Sequence, residues 1–263
     1  MSETPQAKHV LIVSASTGGG HMRAAEGIEK TFHERYPHIK VTNIDMMQYV
    51  TWLFRKLYVD AYLDMMQHRR MLFEILYDIS DRDPETDPVR RFRLWLQRQN
   101  AKRARRTFLQ MKPDHVILTH FTPAEMLDRA RRAGEPVPPT SVVVTDFDVH
   151  WLWIQRTLDE FFVADEDAAI RLKKQGIAAD RVHVTGIPVC PVFSRPYDTT
   201  ALRQELGLDP AKPVVLLMAG GFGVAKIDDT ARALLRHTAG LQLIGIAGRN
   251  QALLASIETV AKE

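Results

Sequence analysis

Residues 9–30 have the sequence "HVLIVSASTGGGHMRAAEGIEK", which joins an apolar run, a glycine-rich turn and an amphipathic segment in that order. The apolar run lacks polar alternation, and this indicates a strand that is buried on both faces. The segment after the glycines places Ala24, Ala25, Ile28 and Phe32 on one face of a helix. A buried strand, a glycine turn and a helix form the opening unit of a doubly wound α/β domain.

Seven more short apolar runs follow, with helix-like segments between most of them. They lie at residues 39–45, 115–120, 141–146, 160–165, 181–186, 213–223 and 241–248. One helix is predicted to start at "TPAE", with Thr122 as its cap. A proline-rich break separates the first six runs from the last two. We therefore predict an α/β fold with a Rossmann-like first domain, residues 1–195, that carries a helical insertion at 46–112, and a second Rossmann-like domain, residues 196–263, with only two strands.

Composition limits the class of protein. The 263 residues are 45% hydrophobic and carry a formal net charge of +3, which is typical of a globular chain. The single cysteine, Cys190, excludes an internal disulfide, and no zinc-like ligand spacing predicts a metal site. We expect no membrane-spanning helix and no targeting peptide, so the predicted location is the cytoplasm.

The glycine turn predicts an anion site with a base beside it. Gly18, Gly19 and Gly20 let backbone N–H groups approach a ligand at a helix N-terminus, where the dipole favours negative charge. His21 follows in the first helical turn, where the same dipole disfavours imidazolium. A neutral imidazole there suits a general base. An ordinary turn that binds nothing and a surface histidine are the structural alternatives.

Two known phosphate motifs can be compared with this turn. A Walker A loop requires Gly-Lys-Ser/Thr, but His21 follows the last glycine. A dinucleotide fingerprint requires a third small residue, and Arg23 occupies that position. Asp45, at the end of the second predicted strand, nevertheless lies where a ribose-binding acid would be. An oxidoreductase with an NAD-type cofactor therefore stays open as an alternative.

Five segments together resemble one enzyme family. They are "SASTGGGHMRAAEGI", "HFTPAEML", "VVVTDFDVHWLW", "VTGIPVCPVF" and "VLLMAGGFG". In this order they resemble monogalactosyldiacylglycerol synthases and processive diacylglycerol glucosyltransferases of glycosyltransferase family 28. The resemblance implies a GT-B fold, with an acceptor (lipid-binding) domain first and a UDP-sugar-binding domain second.

The resemblance also implies a reaction. An inverting hexosyltransferase would move glucose or galactose from UDP-glucose or UDP-galactose to diacylglycerol, with no further cofactor, at the inner face of the cell membrane. In the family a late glycine and acidic motif holds the donor. Because the chain ends before such a motif, we expect a C-terminally truncated second domain. A non-catalytic lipid-binding fragment is therefore a further alternative.

Further site candidates follow a predicted strand in "TDFDVHWLW". Asp146 is a candidate catalytic residue that orients an imidazole or accepts from the acceptor hydroxyl. His120 and His150 are candidates for binding the acceptor, and Trp151 and Trp153 are candidates for a lipid entrance. Capping or loop roles and packing against the second domain are the structural alternatives. In the second domain, Gly220, Gly221 and Gly223 repeat the glycine turn and are candidates for binding the donor diphosphate.

A basic amphipathic stretch lies within the insertion. Residues 88–112 contain nine Lys/Arg and no acid. A helix would place four of these cations on one face: Arg91, Arg98, Lys102 and Arg105. This pattern predicts an anionic membrane surface as partner. A helix with a merely solvated basic face is the alternative, and because no nucleic-acid module accompanies the charge we predict no nucleic-acid partner.

Overall fold

The computed structural model describes residues 9–16, 19–52, 104–221, 223 and 225–262. The chain divides into two compact units, Met1–Ser194 and Arg195–Glu263. Most of the predicted helical insertion, residues 46–112, lies outside the described residues, and so does Gly18.

The strands of the first unit form a parallel sheet. The described strands are β1 (His9–Ser14), β2 (Lys40–Asp45), β3 (His115–Leu118), β4 (Thr140–Val143), β5 (Glu160–Val163) and β6 (Val182–Val184). Their order across the sheet is β2-β1-β3-β4-β5-β6, and every adjacent pair is parallel. The chain adds β2 on one side of β1 and then returns to add β3 on the other side. Open α/β sheets bind ligands at the carboxyl ends of strands where the order reverses in this way.

Helices cover both faces of this sheet. They are α1 (Gly19–Arg35), α2 (Phe121–Arg132) and α3 (Glu166–Lys174), and residues 104–110 are helical as well. On one face, Val10 and Ile12 of β1 pack with Ala25 of α1. On the other face, Leu11 and Val13 join the larger core. Other elements contribute Phe108, Leu127 and Leu172 to that core. Since alternate residues of β1 enter two cores, the doubly wound α/β fold is confirmed.

Helix α2 begins differently from the sequence prediction. The helix starts at Phe121, and its N-cap is His120, whose Nδ1 accepts a hydrogen bond from the Thr122 backbone N–H at 3.0 Å. The prediction of Thr122 as the cap was therefore wrong. An imidazole nitrogen supplies the acceptor that a hydroxyl was expected to supply.

The proline-rich segment after β6 packs closely on α1. A Cβ added to Gly27 would lie 2.7 Å from the carbonyl carbon of Val189 and 2.8 Å from its oxygen. Backbone therefore meets backbone at this point, and glycine is required for the approach. No helix in the described ranges is both long enough and apolar enough to cross a bilayer.

The second unit is smaller. Its described elements are α4 (Thr199–Glu205), β7 (Val214–Met218), α5 (Ile227–His237), β8 (Gln242–Ile246) and α6 (Gln251–Val260), and β7 pairs with β8 in parallel. Its core is made by Ala219, Ile227, Ala247 and Leu253. On the opposite face of the sheet Leu216, Met218 and Ile246 are exposed. The two strands that the sequence predicted here are present.

Candidate active site

Three segments meet at the carboxyl ends of β1, β3 and β4. Helix α1 contributes His21 from its first turn, the link from β3 to α2 contributes Thr119 and His120, and the loop after β4 contributes residues 145–153. They meet because neighbouring parallel strands end at one edge of a sheet, and β3 lies between β1 and β4. This edge includes the strand reversal, where a ligand crevice is expected.

The ring of His21 is held through one nitrogen. Its Nδ1 lies 3.1 Å from the backbone oxygen of Thr119 and 2.6 Å from Oγ1 of Thr145. A carbonyl oxygen can only accept, so Nδ1 carries the hydrogen in the neutral ring. The other nitrogen, Nε2, then carries the lone pair. The arrangement selects the tautomer that a general base requires.

Burial keeps this ring neutral. It lowers the pKa of His21 below the ordinary value for an imidazole; Asp146 and the Thr119 carbonyl oppose this without reversing it, and His150 adds to it. The sequence predicted a neutral ring from the helix dipole alone. Desolvation, which the sequence did not predict, acts in the same direction.

His120 lies beneath His21 rather than on the surface. Its side chain is 1% exposed, and the centroids of the two rings are 4.5 Å apart in an edge-to-face arrangement. Burial, followed by the His21 and His150 rings, holds the pKa of His120 well below its usual range. The sequence placed His120 among residues that touch the acceptor. In the structure it is instead a buried, neutral side chain that caps the N-terminus of α2.

Asp146 binds two side chains of its own loop. Its Oδ2 accepts from Trp153 Nε1 at 2.7 Å and lies 3.4 Å from His150 Nε2. Burial alone would raise the pKa of Asp146, but the hydrogen bonds from His150 and Trp153 hold it below its usual value. Asp146 is therefore a carboxylate that orients an imidazole, as the sequence suggested, and that imidazole is His150.

The two tryptophans occupy different depths. Trp153 is fully buried. Its Nε1 donates to Asp146, and its ring packs edge-to-face on Phe121 with the ring centroids 5.7 Å apart. It therefore does not line a lipid entrance in this structure, contrary to the sequence-based expectation. Trp151 is half-buried. The exposed apolar side chain of this loop is Phe147, with 70% of its surface accessible.

Sequence reasoning missed three residues of the site. Thr119 and Thr145 hold His21, and Phe121 packs against the rings of His120 and His150. The available signal was position, since Thr119 immediately follows β3 and Thr145 lies two residues beyond β4. Among the described residues, no three histidine, cysteine or carboxylate side chains are placed to hold one metal ion.

Asp45 has a structural role that argues against a dinucleotide site. Its Oδ1 accepts from the backbone N–H of Ser16 at 3.0 Å and from that of Met47 at 2.9 Å, and the residue is 9% exposed. The carboxylate thus ties the start of the glycine turn to the end of β2. Asp45 does end β2, beside β1, as the sequence predicted, but its Oδ1 binds the protein's own backbone rather than a ligand.

The described glycines of the first turn leave space above them. Gly19 and Gly20 are exposed at the start of α1, and no described atom lies within 4 Å of a Cβ built on either. Gly18 lies outside the described residues. The N-terminus of α1 is thus accessible at the same edge as His21.

The glycine turn of the second unit packs closely on the backbone that follows β8. Gly223 has φ +66°, and a Cβ there would lie 2.3 Å from the Ala247 oxygen. Asn250 Nδ2 donates to the Gly223 oxygen at 2.9 Å. A cavity of about 360 Å³ is lined here by residues that include Gly223, Lys226, Asp228, Asp229, Asn250 and Ser256. Gly220 and Gly221 precede Gly223 in this turn. The cavity lining carries the positive charge of Lys226 and the negative charges of Asp228 and Asp229, so a diphosphate there would meet both signs.

One member of the predicted basic face is described. Arg105 pairs with Glu135 at 2.9 Å and its side chain is 23% exposed. Its charge is therefore engaged within the protein. The other three, Arg91, Arg98 and Lys102, lie outside the described residues.

Comparison with known proteins identifies a family. The family model described as monogalactosyldiacylglycerol (MGDG) synthase matches residues 21–189. The chain is 30% identical to the chloroplastic monogalactosyldiacylglycerol synthase of Spinacia oleracea, over 98% of this chain and 51% of the relative. It is 27% identical to the processive diacylglycerol beta-glucosyltransferase of Bacillus subtilis, over 97% of this chain and 65% of the relative. The chain thus spans between half and two thirds of the length of these relatives.

Solved structures show the same fold at low identity. The UDP-GlcNAc 2-epimerase of Neisseria meningitidis bound to UDP-GlcNAc is 17% identical, with a TM-score of 0.52 over 97% of this chain and 69% of that one. A putative UDP-N-acetylglucosamine 2-epimerase from Listeria monocytogenes is 12% identical, with a TM-score of 0.54 over 97% and 66%. Together with the sheet topology, the comparisons establish an α/β fold of the GT-B type.

Proposed function

Because the chain belongs to the monogalactosyldiacylglycerol synthase family, we propose that it acts in glycolipid synthesis as an inverting hexosyltransferase. The donor is UDP-glucose or UDP-galactose, and the acceptor is the free hydroxyl of diacylglycerol. The single observation that carries the proposal is the environment of His21, whose Nδ1 is fixed by two oxygens while Nε2 keeps its lone pair.

The chemistry assigns one step to each group. Nε2 of His21 removes the hydroxyl proton as the acceptor oxygen attacks the anomeric carbon of the hexose. The bond from that carbon to the β-phosphate oxygen breaks, and its electron pair leaves with UDP. The resulting imidazolium is stabilised by Asp146, whose charge favours the protonated ring of His21. Backbone N–H groups of the glycine turn near Gly20, at the same edge of the sheet as His21, receive the diphosphate charge.

The proposed place of action is the inner face of the cell membrane. Diacylglycerol resides in membranes, and the relatives carry diacylglycerol in their names. The basic stretch at residues 88–112 supplies the attraction to anionic lipid. The protein would therefore act from the membrane surface.

A transfer assay tests this function. Radiolabelled UDP-glucose and UDP-galactose are offered separately with phosphatidylglycerol vesicles that contain diacylglycerol, and the expected product is a labelled glycolipid. His21→Gln should lower kcat at least about 100-fold with donor affinity nearly unchanged. The control is His33→Gln, an exposed histidine of the same helix, which should match the parent. Vesicle binding without transfer from either donor would overturn the enzyme proposal and favour a lipid-binding role.

A further inference from the structure

The hydroxyl of Thr145 makes the shortest contact to His21. The Oγ1 to Nδ1 distance is 2.6 Å, against 3.1 Å for the Thr119 oxygen. If Thr145 donated this hydrogen bond, Nδ1 would present its lone pair to the Thr119 carbonyl, and two acceptors would face each other. With Nδ1 as the donor, both oxygens accept the same hydrogen. The geometry therefore makes Thr145 a second acceptor for the ring.

We propose that Thr145 is a positioning residue for His21, whose hydroxyl fixes the Nδ1–H tautomer and strengthens Nε2 as a base. An acceptor on the far nitrogen stabilises the ring as it gains a proton, just as the second partner of a metal-bound histidine raises its basicity. The part of this proposal that concerns catalysis rests on the proposed function. The part that concerns the ring does not.

The neighbours of Thr145 in the chain fix the position of its hydroxyl against the His21 ring. The next residue, Asp146, accepts from Trp153 Nε1 at 2.7 Å, and Trp153 is fully buried. The loop after β4 is thus anchored in the core immediately after the residue that touches His21. A hydroxyl held in this way keeps a fixed position relative to α1, which a mobile loop would not provide.

The experiment compares three threonine variants of the 263-residue chain. Thr145→Val removes the acceptor at nearly constant volume, and Thr145→Ser keeps it. The matched control is Thr42→Val, because Thr42 Oγ1 also contacts an imidazole, His9 Nε2 at 3.0 Å, on strands β2 and β1. The probe is the pair of imidazole ¹⁵N signals of His21, followed over pH without substrate and assigned with His21→Gln.

In the parent, Nδ1 should give the signal of a protonated nitrogen and Nε2 that of an unprotonated one. Thr145→Val should make the two signals more alike and move the titration of His21 to lower pH, because the protonated ring loses an acceptor. Thr145→Ser should restore the parent behaviour, and Thr42→Val should leave His21 unchanged. The proposal is overturned if Thr145→Val titrates like the parent, or if the serine and valine variants are equally disturbed, since the methyl packing alone would then be responsible.

Kinetics separate this inference from the function beneath it. With hexosyl transfer, Thr145→Val should lower kcat about tenfold with little change in KM and move the acidic limb of kcat/KM to lower pH. If the ¹⁵N signals respond and no transfer occurs with either donor, the positioning role stands and the proposed function fails. If transfer occurs and Thr145→Val matches the parent in kcat and in its signals, the positioning role fails and the function stands.

Discussion

Thr119 holds both the backbone and the side chain of His21. Its hydroxyl donates to the His21 backbone oxygen at 3.0 Å, while its own backbone oxygen accepts from the His21 ring at 3.1 Å. The two residues lie 98 positions apart in the chain and meet only because β3 lies beside β1. The position of the proposed base is therefore set by the sheet as much as by the helix that carries it.

The charge of Asp146 should be visible in the pH dependence of the site. The pKa of His21 is lowered by burial, and Asp146 works against that lowering. Asp146→Asn is therefore expected to lower the pKa of His21 further. Since a base must be unprotonated to act, the acidic limb of kcat/KM should move to lower pH, with a lower plateau from the weaker base. An acidic limb that stays where it is in the parent would contradict this assignment of Asp146.

The buried, neutral imidazole of His120 should make the stability of the fold sensitive to acid. Burial holds the folded-state pKa of His120 well below the ordinary imidazole value of about 6.5, so the unfolded chain binds protons more readily. Its contribution is fully present above pH 6.5 and is lost as the pH falls from there toward the folded-state pKa. His120→Asn keeps a capping acceptor without titrating, and should flatten the decline in urea midpoint between pH 7 and pH 5. His33→Asn, on the exposed face of α1, is the control and should decline like the parent.

The contact between α1 and the proline-rich segment should tolerate no side chain. Gly27→Ala places a methyl 2.7 Å from the Val189 carbonyl carbon, and backbone cannot rotate away as a side chain can. We expect a loss of about 1–3 kcal/mol in the free energy of unfolding, measured by urea denaturation. Gly19→Ala in the same helix has open space around the added methyl among the described residues and should lose little. Equal stability of the two variants would show that the segment is free to move.

The basic stretch should bind vesicles through charges outside the described residues. Replacing Arg91, Arg98 and Lys102 with Glu is expected to reduce co-sedimentation with phosphatidylglycerol vesicles. The attraction should weaken steeply with salt, since exposed charges are screened over about 8 Å at physiological ionic strength. Arg105→Gln is the matched comparison: because Arg105 pairs with Glu135, this change should affect stability more than vesicle binding. A triple variant that sediments like the parent would remove the basic stretch as a membrane contact.

The sequence was sufficient for what depends on local pattern. Apolar runs predicted all eight described strands, and the glycine turn identified His21 as the first candidate base. The errors arose where depth or long-range pairing decides. Tryptophan is a residue type typical of lipid-facing positions, but the burial of Trp153 goes with its hydrogen bond to Asp146, which the sequence does not show. The position of Thr145 just after β4 places it at the ligand edge of the sheet, but its bond to His21 could not be predicted because the two residues lie 124 positions apart. The bonds of the Asp45 carboxylate could not be predicted either, because its partners are backbone amides, which carry no side-chain signal in the sequence.

The fixation of His21 also has an entropic meaning. Ordering a side chain on the approach of a substrate costs free energy, on the order of 1 kcal/mol for each immobilised rotamer-rich group. Thr119 and Thr145 impose that order when the chain folds, through contacts to the ring and the backbone of the same residue. The loss of rotational freedom is then part of the stability of the folded chain and does not recur in each reaction cycle. A variant that removed these contacts would leave the His21 side chain free to rotate. Whatever its effect on the stability of the fold, the free-energy cost of ordering the ring would then be added to the activation barrier of each reaction.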